Sequence, residues 1–108
     1  MADLYKELGN LINSSIKQDW SVAIVRITSS LRKMCKFECS FSKGNNQFDS
    51  FAFDDSHGFE LGLAVFELQE SMYPEHKWNR AVYTLERNGH FDMTFEWDQA
   101  LQDEWDQA

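Results

Sequence analysis

The chain predicts an α+β domain: an antiparallel β-sheet of about five strands with helices packed mainly on one face, in the order α-β-β-β-α-β-β-α. Three observations predict it. Lys33 to Ser42 alternates apolar and polar residues, which marks a strand with one buried and one wet face. Asn88-Gly89, the strongest two-residue hairpin signal in the chain, separates two further alternating runs. Between these regions, Asp54 to Tyr73 changes to an apolar spacing of three and four, the period of a helix.

The first element is an amphipathic helix from Asp3 to about Lys17. Leu4, Leu8 and Leu11 form its stripe, Tyr5, Ile12 and Ile16 flank it, and Asp3 is placed to cap it. Three strands follow. Trp20 to Ser29 is rich in Val and Ile. Lys33 to Ser42 sets Cys35, Phe37, Cys39 and Phe41 against Lys36, Glu38, Ser40 and Ser42. Gln47 to Phe53 follows the turn Lys43-Gly44-Asn45-Asn46. Asp54, Asp55 and Ser56 are each suited to cap the central helix, and all favour the positive end of its dipole. That helix carries two apolar rows, Phe59-Leu63-Phe66 and Leu61-Val65-Leu68-Met72, which predict a broad buried face. Pro74, the only proline, stops it. Trp78 to Arg87 and His90 to Trp97 complete the sheet. Trp97, Leu101 and Trp105 then recur at intervals of four, predicting a short acidic C-terminal helix over about 98–106. The pentamer EWDQA occurs at Glu96 and again at Glu104. Its period is too short for a repeat architecture, and the first copy starts in a strand while the second lies in a helix.

The 108 residues read as one domain, residues 1–108, able to bury a core without disulfides or metal. Residues 1–43 hold seven Lys or Arg against four acids; residues 44–108 hold three against fourteen. Such a field repels phosphates, so nucleic acid is not an expected partner. It attracts a basic protein and speeds the encounter, although acidity also serves solubility. The N-terminus lacks the apolar core of a signal peptide, and no run approaches the roughly 20 apolar residues of a membrane span, so a cytoplasmic protein is expected. Cys35 and Cys39 lie too far apart along one strand to pair and read as buried thiols.

Catalytic chemistry finds little footing. His57, His76 and His90 are scattered, Gly58 and Gly62 form no phosphate loop, and no nucleophile motif or cofactor signature occurs. No catalytic residue, metal site or cofactor is expected. Asp54 with Asp55 reads as a helix cap or a docking pair. Six acids lie between Asp92 and Asp106, and no Lys or Arg follows Arg87. Asp92, Glu96 and Asp98 would face outward from the last strand and its end. Trp20 and Trp97 read as core, Trp78 as partly exposed, and Trp105 as either a latch onto the domain or an interface anchor.

Residues 83–98, YTLERNGHFDMTFEWD, together with the helix that leads into Asp19-Trp20-Ser21, resemble the YezG-like family of small bacterial immunity proteins and antitoxins. The resemblance implies a cytoplasmic, non-enzymatic protein that binds and neutralises one polymorphic or contact-dependent toxin, often a nuclease. A nuclease site is basic because it holds phosphates, so an acidic surface is a physically sensible inhibitor. From the charge reading, the expected toxin-binding residues are Asp92, Glu96, Asp98, Asp103, Glu104 and Trp105, with Asp54, Asp55 and Trp78 beside them. The protein would act as a monomer or weak dimer. The competing expectation is a chaperone of the type III secretion class, which is also small, acidic and α+β, and works as a dimer holding an unfolded effector segment.

Overall fold

The computed structural model describes residues 4–30, 34–44 and 46–107, with side chains from Tyr5 onward. The elements are α1 (Leu4–Ser15), β1 (Val22–Ser30), β2 (Met34–Ser42), β3 (Phe48–Phe51), α2 (Asp55–Met72), β4 (Arg80–Glu86), β5 (Phe91–Glu96) and α3 (Gln99–Gln107). This is the predicted α+β order. The five strands lie as β3-β2-β1-β4-β5, every neighbouring pair antiparallel. A three-stranded meander and a hairpin are therefore joined through β1 and β4, and α2 carries the chain from one outer strand, β3, back to the middle. Asp3, the expected cap of α1, lies outside the described residues.

The register decides which face is buried. Ala23, Val25 and Ile27 of β1 stand opposite Phe41, Cys39 and Phe37 of β2 and opposite Leu85, Tyr83 and Ala81 of β4. Leu8 and Ile12 of α1, and Leu61 and Val65 of α2, complete the core with these residues. Each such aliphatic side chain contributes about 1.5–3 kcal/mol when withdrawn from water. Tyr83 Oη donates to the Tyr5 carbonyl at 2.9 Å and fixes α1 above β4. The Phe91 ring stacks 5.4 Å from Tyr5 and 5.6 Å from Tyr83, extending that contact to β5. The alternate residues of the strands face away from the helices. Arg26, Lys36, Glu38, Asp92 and Glu96 are exposed there, with Val22, Ile24 and Val82 half-buried among them.

Several expectations are corrected. The row Phe59-Leu63-Phe66 is not part of the buried face. Phe59 is 69% exposed and Leu63 44% exposed, whereas Leu61 and Val65 are fully buried. On a helix two residues apart means about 200° apart, so when Leu61 points at the sheet Leu63 points away. Trp97 is also outside the core, at 38% exposure, because β5 ends one residue earlier. β3 is four residues long, shorter than the expected strand. The β4–β5 hairpin has three loop residues, not two. Glu86 N donates to His90 O, Gly89 N donates to Glu86 O, and Gly89 alone takes the left-handed conformation, with φ of 97°. That is a type I turn closed by a left-handed glycine, which needs positive φ at one position only.

A buried polar contact locks α2 to the sheet. Gln69 follows Leu61 and Val65 on the same arc of α2. Its Nε2 donates to the Ser29 carbonyl at 3.2 Å and the Trp78 carbonyl at 2.7 Å, and its Oε1 accepts from Ser29 Oγ at 2.8 Å. Removing it leaves those buried acceptors without a donor. Gln69→Ala should therefore lose about 1–3 kcal/mol in urea unfolding. An unchanged midpoint would mean that the network adds no stability.

Candidate functional site

The candidate residues are set by three elements. Asp98 connects β5 to α3 and is held from three directions. Its Oδ1 accepts from Leu101 N at 3.1 Å, as an N-cap should. Its Oδ2 pairs with Arg80 Nε at 3.0 Å. Its backbone N–H donates to Asn79 Oδ1 at 2.8 Å while its carbonyl accepts from Asn79 Nδ2 at 2.9 Å. Asn79 is itself buried, and its backbone bonds to Ser29 and Glu96. The side-chain amide thus imitates a paired peptide group and seats the start of α3 against β4. The Leu101 amide, then the Arg80 guanidinium, hold the Asp98 carboxyl below the usual range. Asp98 is a structural cap more than an offered charge.

Beyond the cap, α3 presents charge to solvent. Asp103, Glu104 and Asp106 are exposed, and the helix holds no basic residue in its last turn. Gln99 Nε2 donates to Asp103 Oδ1 at 2.9 Å, and Gln102 Nε2 to Asp106 Oδ1 at 3.0 Å. These neutral amides orient the carboxylates and leave their charge in place. Trp105 is half-buried on the same helix. Asp92 and Glu96 project from β5 on the uncovered face of the sheet, opposite Thr84 and Arg80. Of the three basic residues in this half of the chain, Lys77 lies over the Tyr73 ring, Arg87 lies over the Trp20 ring, and Arg80 pairs with Asp98.

Asp54 and Asp55 lie elsewhere. They start α2, whose 18 residues span about 27 Å. The far end of that helix, at Gln69 and Tyr73, shares a cleft of about 460 Å³ with Trp78, Trp97, Gln99 and Gln102. The two groups of acids are thus at opposite ends of α2 and do not form one surface. Asp54 is the N-cap: its Oδ1 accepts from His57 N and Ser56 Oγ, both at 2.9 Å. Its Oδ2 meets His57 Nδ1 at 2.8 Å. The His57 amide, then the Ser56 hydroxyl, lower the Asp54 pKa. Ser56 and His57 both bond to the carboxylate and not to each other, so the histidine is not set to act as base for the serine.

Trp78 requires correction. Expected to be partly exposed and toxin-binding, it is 1% exposed, packed 5.0 Å from the Phe95 ring. The chain before β4 turns it under α2, where it fills the core. It cannot meet a partner without local unfolding. Conversely, Asn79 and Gln69 escaped the sequence reading. Gln69 carried a signal, a polar residue on the buried arc of α2; Asn79 carried none.

Cys35 and Cys39 are free, and burial pushes their thiols up to about 12 and about 11. They stay protonated at neutral pH and are poor nucleophiles. Among the described residues, no three His, Cys, Asp or Glu side chains converge to hold a metal ion, and no helix is long and apolar enough to cross a membrane. No protein-family model matches the chain, and a search of curated proteins found no relative.

The Asp98 cap makes a pH prediction. Its folded pKa is lowered, so its stabilisation is present above the unfolded carboxylate pKa and is lost as pH falls through the folded value. Asp98→Asn should keep the cap but lose the ion pair. Its thermal midpoint should fall below wild type at neutral pH and converge with it in acid. A difference between the two that does not change with pH would refute the assignment.

Proposed function

We propose that the chain is a non-catalytic protein inhibitor: an immunity protein, or antitoxin, that binds a basic toxin domain, most simply a nuclease, through its acidic C-terminal surface. One observation carries the reading. Asp103, Glu104 and Asp106 stand exposed on α3, a helix that itself contains no Lys or Arg. Asp92 and Glu96 add to this field from the adjacent strand. The likeness of residues 83–98 to the YezG-like family supports the same reading and points to a bacterial, cytoplasmic setting.

The physical role of this surface is steering. Exposed acids raise the rate at which a basic domain arrives, and they penalise neutral or acidic competitors. Tight holding needs desolvated aromatic contacts as well. The half-buried Trp105 and the exposed Trp97 lie on or beside α3 and are the aromatic side chains suited to that role. The binding residues under this reading are Asp92, Glu96, Asp103, Glu104 and Trp105. Asp98 positions the helix, Asp54 and Asp55 lie too far away to join them, and Trp78 is inside.

Co-purification with the toxin domain encoded beside it, with loss of that domain's killing activity, tests the function. Reversing Asp103, Glu104 and Asp106 to Lys together should slow association at least about tenfold at low salt and flatten its dependence on ionic strength. The same rate and salt slope in the variant would reject the electrostatic role. A dimer that binds only an unfolded segment of its neighbour would favour the chaperone reading instead.

A further inference from the structure

β5 is an edge of the sheet. It pairs with β4 on one side and with no described strand on the other. Glu86 N donates to His90 O, and the register continues with Thr84 opposite Asp92, Val82 opposite Thr94 and Arg80 opposite Glu96. Bonded positions alternate in an antiparallel pair, so Asp92, Thr94 and Glu96 turn their main-chain groups toward β4. The N–H and C=O groups of Phe91, Met93 and Phe95 then point out of the sheet edge, a template for one more strand. The side chains follow the same alternation. On the helix face, Phe91 is 43% exposed, and Met93 and Phe95 are half-buried. On the other face, Asp92, Thr94 and Glu96 are exposed.

We propose that this edge takes an extended segment of a protein partner as an added strand, with apolar side chains beside Phe91, Met93 and Phe95 and basic ones beside Asp92 and Glu96. Main-chain bonds supply affinity, and the alternating side-chain contacts supply selection. The register fixes the pattern. Residues opposite Glu96 and Asp92 are four apart on the added strand and share the uncovered face, while those opposite Phe95 and Met93 turn to the helix face. Charge on each face agrees with this. On the uncovered face Arg80 stands next to β5, but it is ion-paired with Asp98. Arg26 and Lys36 lie two and three strands away, roughly 10 and 14 Å. On the helix face, Lys6 and Arg87 line the cleft that Phe91 also lines, so the partner's basic side chains are disfavoured there. A second copy of this chain is a poor occupant. Paired antiparallel about Thr94, it sets Asp92 against the other copy's Glu96, and about Met93 the same acids stand diagonal. The inference deepens the proposed function, on which it rests for the partner's basic character, and adds how that partner is held.

The probe is the synthetic peptide Val-Lys-Val-Thr-Val-Lys-Val, compared with the same peptide carrying glutamate for lysine. Amide exchange of the isotope-labelled protein reports the site. The lysine peptide should slow exchange at the Phe91, Met93 and Phe95 amides, and the glutamate peptide should not. Met93→Pro removes an outward N–H, a change that edge strands tolerate, and should abolish the effect at Phe91 and Phe95. Asp92→Lys with Glu96→Lys, both at exposed positions, should reverse the preference between the peptides by on the order of tenfold. This pair decides the matter if the proline variant does not fold. Slowed exchange at the same amides without peptide, as protein concentration rises, would overturn the proposal in favour of a second copy. Equal binding of both peptides would also overturn it, as would binding that leaves exchange in β5 unchanged. Such a failure beside an intact toxin complex removes the edge and keeps the proposed function. The lysine peptide's effect without any toxin complex removes the proposed function and keeps the edge.

Discussion

The fold depends on a buried polar chain that crosses the molecule at one end of the sheet. Gln69 of α2 grips Ser29 of β1 and the Trp78 carbonyl. The residue after Trp78, Asn79, bonds back to Ser29 and forward to Glu96 and Asp98. Three strands and two helices therefore meet around two residues, through their side-chain amides and the Asn79 backbone. Apolar burial supplies most of the cohesion, but it is indifferent to small shifts of a helix along a sheet. Buried amides are not indifferent, because a displaced amide leaves donors and acceptors unpaired in a dry interior. Their geometry sets where α2 rests on the sheet and seats the Asp98 cap from which α3 begins.

Two surfaces of different kind result. α3 and β5 present acids beside the exposed Trp97 and Phe91, whereas the outer side of α2 presents the exposed Phe59 and Leu63 among its own acids. Charge on the first acts over distance, while apolar area on either acts only in contact.

Much of the architecture was legible because it rests on local periodicity. The alternation of Cys35, Phe37, Cys39 and Phe41 identified their shared face, and Asp54 was among the caps foreseen for α2. What the sequence hid was the choice between equivalent patterns. Two apolar rows on α2 look alike on a helical projection, and only the sheet's position shows that Leu61 and Val65 are covered while Phe59 and Leu63 are not. Trp78 and Trp97 were assigned in the wrong sense for a related reason. Both sit at the ends of strands, where alternation stops predicting direction and the path of the connecting chain takes over. The candidate acids were visible as a cluster, but which of them serve the fold was not. Asp98 differs from Asp103 only through Arg80, Asn79 and Leu101, contacts that arise from pairing across the hairpin.

The seating of α3 also bears on how this protein can diverge. The helix is fastened at its first turn and buries none of its residues completely. Substitutions along such a surface usually alter stability by less than about 0.5 kcal/mol. If α3 meets a partner as proposed, its residues can therefore drift, one charge or aromatic at a time, without disturbing the domain that carries them. A lineage of related chains could keep the same sheet and buried amides while their terminal helices come to recognise quite different targets.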